Sequence, residues 1–89
     1  MDPVTADEIR IRMTKISGKI LDKIAQCMLA PKYESMFMDF FKSTIKDKNI
    51  EVRAQAAYNL PCFYFTFRSE ENLNYFDFIY RELIVENPN

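Results

Sequence analysis

Ile9, Met13, Ile16, Ile20, Ile24 and Met28 follow one another at spacings of four, three, four, four and four residues. Only a helix, at about 3.6 residues per turn, brings such positions onto one side. Leu21 and Cys27 widen the stripe, and a chain that carries it needs a second apolar surface to bury it against. Thr5-Ala6-Asp7-Glu8 fits a capping box, with Thr5 as the cap and Glu8 reaching back to it, and the helix dipole favours the two acids there. Gly18 is either a small internal cost or a point of close packing. Pro31 closes the segment, because the residue before a proline avoids the α region.

Three more stripes follow. Met36, Phe37, Phe40, Phe41 and Ile45 form the second, and Val52, Ala56, Leu60, Phe63 and Phe67 the third. Phe76, Ile79, Tyr80, Leu83 and Ile84 form the fourth. Asp47-Lys48-Asn49 is a polar turn in which either Asp47 or Asn49 can cap the third helix. Ser69, followed by Glu70 and Glu71, opens the fourth, and Asn87-Pro88-Asn89 stops it. Pro61 removes a backbone donor inside the third stripe and is expected to kink or divide that helix. Phe63-Tyr64-Phe65-Thr66-Phe67 alternates like a strand, but no partner strand is signalled, so it reads as helix. Its three phenylalanines cannot share one helix face, so at least one is expected against a further unit or a partner. The single glycine of the chain also denies all-β folds their usual turns. The expected fold is all-α, one domain of about four antiparallel helices near residues 5–29, 31–46, 50–67 and 70–86, paired into roughly two stacked hairpins.

Composition narrows the chemistry. The chain has 89 residues and no histidine, which removes Ser-His-Asp and Cys-His nucleophile sets and His-containing zinc sites. Its lone glycine cannot build a phosphate-cradling loop. Glu70 and Glu71 read as first-turn electrostatics, and Asp39 and Asp77 as isolated carboxylates facing water. No catalytic residue, cofactor, metal or small-molecule substrate is therefore expected. Cys27 and Cys62 read as small buried side chains in a reducing compartment. No apolar run approaches the length of a membrane span, and no signal peptide is visible, so the expected location is intracellular, cytoplasmic or nuclear. A net charge of −1 argues against wholesale nucleic-acid or membrane binding, though not against a local patch.

The turns repeat. Glu8-Ile9-Arg10 returns as Glu51-Val52-Arg53, with Val52 standing 43 residues after Ile9. Asn87 falls 40 residues after Asp47. Self-similarity at this period, with two helices per unit, is the mark of an α-solenoid, in which hairpins stack because none can cover its own apolar face. The run from Asp47 to Pro61 resembles the HEAT-repeat family, with Asp47, Val52, Arg53, Ala56 and Leu60 at the places of its turn Asp, Val-Arg pair, small Ala and Leu. The resemblance implies a ladder in which the Arg of one unit bonds the turn Asp of a neighbour, with Arg53 reaching towards Asp2 or the Asn87 turn. The first copy departs from the pattern: its turn is longer, and Met13 replaces the Ala. The run Ala56 to Cys62 looks most like scaffold or regulatory subunits of protein phosphatases of the 2A and 4 group. On this reading the chain is a piece of a longer array, expected to expose apolar surface and to self-associate or be marginally stable when isolated.

Arg12, Lys15, Lys19 and Lys23 form a cationic stripe at spacings of three, four and four. It reads either as a solvated face opposite the isoleucines or as a docking ridge for an acidic segment of a protein partner. In the phosphatase reading that partner is a Ser/Thr phosphatase catalytic subunit. With four cations and no interleaved aromatic, nucleic acid is not the expected ligand. Residues 1–46 sum to +2 and residues 47–89 to −3, which suits head-to-tail attraction or partner steering. The alternative to a scaffold segment is a self-standing four-helix adaptor, or a nucleic-acid-associated helical protein that uses the lysine stripe.

Overall fold

The structure, a computed structural model, describes residues 2–85. Helix α1 spans Pro3–Gln26. It starts two residues before the expected capping box, because Asp2 accepts a hydrogen bond from the Val4 amide at 3.1 Å while proline supplies a preset first turn. Thr5 and Glu8 are exposed instead. The helix also ends early. Cys27 is the C-cap and Met28 takes a left-handed φ of 59°, which turns the chain before Pro31 is reached. Cys27 is consequently exposed, contrary to the expectation of a buried thiol.

Helix α2 spans Ala30–Thr44, with Pro31 in its first turn, where no amide donor is missed. Helix α3 spans Ile50–Thr66 and continues past Pro61, which does not divide it. Of the two candidate caps, Asn49 is the one used: its side chain accepts from Glu51 N at 2.8 Å and Val52 N at 3.3 Å. Helix α4 spans Glu70–Tyr80, capped by Ser69, and continues as a π-helical turn over Arg81–Val85. The Asn87 turn lies outside the described residues. The chain is all-α, and among the described residues there is no strand.

The core forms where three helices bring aromatics together. Phe41 of α2 stacks against Phe63 of α3 at 4.7 Å between centroids and meets Phe76 of α4 edge-on at 5.8 Å. Phe37 reaches both Phe63 and Phe67. Leu21, Ala30, Met38, Ile45, Ala56 and Ile79 complete this interior. Helix α3 packs on α1, α2 and α4, whereas α1 does not touch α4. Helix α3 is thus the central element, and α2 meets α4 through the rings of Phe41, Tyr75 and Phe76.

The face that α1 buries differs from the one its isoleucines predict. Thr14, Ser17 and Leu21 are buried, while Ile9, Met13, Ile16 and Ile20 stay between 39% and 51% exposed. The reason is a close approach between helices. Asn59 of α3 donates to the Thr14 carbonyl at 2.8 Å, and a Cβ at Gly18 would lie only 2.6 Å from Asn59 Oδ1. Cys62 Sγ, half-buried on the same side of α3, faces the Gly18 carbonyl at 3.9 Å. Small residues admit such a contact and isoleucines would not. Thr14 pairs with Asn59 and Gly18 with Cys62, offsets of 45 and 44 residues, so α1 and α3 run parallel in near-constant register.

Candidate partner-binding surface

The first turns of α1 grip the loop that precedes α3. Arg10 forks onto Asp47, Nε to Oδ2 at 2.8 Å and Nη2 to Oδ1 at 3.1 Å, and Nη2 also donates to Asp7. Asn49 closes the ring by donating to Asp7 at 3.1 Å. The two-pronged geometry is the one a guanidinium makes best with a carboxylate. These bonds, with the Asn49 amide donating to Asp47, hold the Asp47 carboxyl below its ordinary pKa and push Arg10 up. Of the residues named for a structural role, Asp47 thus joins α1 to the next turn and Val52 is fully buried. Arg53 does not reach Asp2. Its Nη1 donates to the carbonyls of Asp47 and Lys48, closing its own turn. The arginine that pairs with Asp47 is Arg10, which stands before Thr14 as Arg53 stands before Ala57.

Arg12, Lys15, Lys19 and Lys23 are all exposed on α1, and none of their side chains has a hydrogen-bond or ion-pair partner among the described residues. Lys15 and Lys19 form one wall of a groove of about 360 Å³ whose other wall, from α3, is Gln55, Tyr58 and Asn59. Tyr58 is 80% exposed there. An aromatic does therefore accompany the lysines, from a helix more than thirty residues further on, where spacing along α1 could not reveal it.

Two further grooves are mainly apolar. Met13, Ile16, Ile20, Met36 and Phe40 line one of about 340 Å³ between α1 and α2. Leu60, Pro61, Tyr64, Phe76 and Tyr80 line the other, of about 410 Å³, between α3 and α4, together with Asp77. Phe65, 71% exposed, borders this second groove while Phe63 and Phe67 are buried, so the three phenylalanines divide as the helical period requires. Burial pushes the Cys62 thiol up in pKa, a direction that suppresses the reactive thiolate. Among the described residues no cluster of His, Cys, Asp or Glu has the makings of a metal site, and no helix is long and apolar enough to cross a membrane. No known protein family, curated protein or solved structure matches the chain.

Proposed function

We propose that this chain is a non-catalytic, HEAT-type scaffold segment that holds protein partners on the surface of its stacked helices. The observation that carries the reading is the parallel α1–α3 stack, whose 44–45-residue register lies within two residues of the 43-residue repeat of the Glu-x-Arg turns and which is tied by Arg10 to Asp47. A hairpin that repeats in this way gains its stability from neighbours, and the two open apolar grooves are the surfaces on which further units would stack. The resemblance of Ala56 to Cys62 to phosphatase scaffold and regulatory subunits supports a Ser/Thr phosphatase catalytic subunit as the partner. The test is co-purification of the tagged parent chain from native extract. Enrichment of a phosphatase catalytic subunit, lost on Arg10→Ala/Asp47→Ala, is the expected result. A stable monomer that enriches no phosphatase excludes that partner.

A further inference from the structure

We infer that the groove between α1 and α3 receives an extended acidic peptide whose carboxylates alternate with apolar residues. This rests on the scaffold reading and adds to it the chemistry of the partner. The groove has two unlike walls: Lys15 and Lys19 on α1, and the exposed ring of Tyr58 on α3. No carboxylate lines it. Placing lysines four apart on one helix face is self-repulsive, and neither amine is compensated by an acid among the described residues. An incoming anion relieves that repulsion.

The spacing selects the form of the ligand. Lys15, Lys19 and Lys23 rise about 6 Å per step along the helix axis. Alternate residues of an extended chain are about 6.6 Å apart and point to one side, with the intervening side chains pointing to the other. A segment lying along the groove thus sets every second side chain on the lysine row and the others against Tyr58. From Arg12 to Lys23 the row extends about 16 Å, the reach of about five extended residues. A nucleic-acid strand meets the same amines, but the chain as a whole carries a net charge of −1 and this groove offers a single aromatic platform.

The test uses fluorescein-labelled peptides of sequence (Glu-Leu)5, its block isomer with five Glu followed by five Leu, its counterpart (Lys-Leu)5, and labelled decathymidylate, each titrated by anisotropy at two salt concentrations. The alternating acidic peptide is expected to bind best and to weaken with salt. Lys15→Glu/Lys19→Glu should weaken it about tenfold and gain affinity for the lysine peptide, and Tyr58→Ala should weaken it about threefold. Tighter binding of decathymidylate, or acidic-peptide binding unchanged in the double charge reversal, overturns the inference. Proton contacts between the Asn59 side-chain amide and Thr14, read by NMR on the same samples, separate the two failures. Contacts present without peptide binding overturn the groove assignment alone, and contacts absent overturn the stacked-helix reading with it.

Discussion

Asn59 occupies the space that any side chain at position 18 would need: its Oδ1 lies 2.6 Å from where a Cβ on Gly18 would stand. Asn59 cannot swing away freely, because it is buried and its amide is committed to the Thr14 carbonyl. Alanine in place of a mid-helix glycine ordinarily stabilises by about 1 kcal/mol. Gly18→Ala is expected to destabilise instead, since it costs the Asn59 hydrogen bond or spreads α1 from α3. Urea unfolding of Gly18→Ala, Asn59→Ala and the double variant should show a coupling of about 1 kcal/mol, the double variant being more stable than the two single losses predict. Additivity would mean that the two residues do not meet.

The Arg10–Asp47 pair makes stability depend on acid. The folded state holds the Asp47 carboxyl below its ordinary pKa, mainly through Arg10, so the unfolded chain takes up a proton first as pH falls. The pair's contribution is present above about pH 4, the ordinary aspartate range, and is lost as pH drops through the lower folded value. Thermal melts from pH 6 to pH 2 should show a decline that is shallower in Asp47→Asn, which starts from a lower melting temperature at pH 6. Parallel curves for both proteins would contradict this.

Burial ranks the side chains differently from hydrophobicity. Phe41 is 1% exposed at the junction of three helices, and Phe41→Ala should cost about 3–5 kcal/mol, a large share of the stability of a domain of this size. Ile16, half exposed, should tolerate alanine within about 0.5 kcal/mol in dilute solution. Chemical denaturation of the two variants measures the difference, and equal losses would place Ile16 in the core.

The groove over Met13, Ile16, Ile20, Met36 and Phe40 should make the isolated chain associate. Sedimentation is expected to show mass rising with concentration, and Ile16→Glu/Ile20→Glu is expected to return a monomer of unchanged helicity. A monomer at all concentrations in the unaltered chain would show that this face needs no cover.

Helices were legible because apolar residues keep the helical period over long stretches, and Asn49 and Ser69 announced their caps. The buried face of α1 was not legible. Its isoleucine stripe and the Thr14-Ser17-Leu21 stripe are neighbours on one helix, and hydropathy favours the larger side chains. What decides is how closely α3 approaches, and that depends on Gly18 and Asn59, 41 positions apart in the chain. The lysine row was visible in the sequence, but Tyr58 became its companion only through the same approach. Asp7 likewise read as a helix-dipole charge, whereas it ties Arg10 and Asn49 together across the turn.

The parallel register of α1 and α3 sets both the Arg10–Asp47 pair and the groove between Lys15, Lys19 and Tyr58, and NMR cross-relaxation reads it without intermediaries. Contacts are expected from the Asn59 side-chain amide protons to Thr14 and to the α-protons of Gly18 in the intact chain. Contacts from that amide to Ile16 and Ile20 instead, with the isoleucine face turned inward, would contradict it.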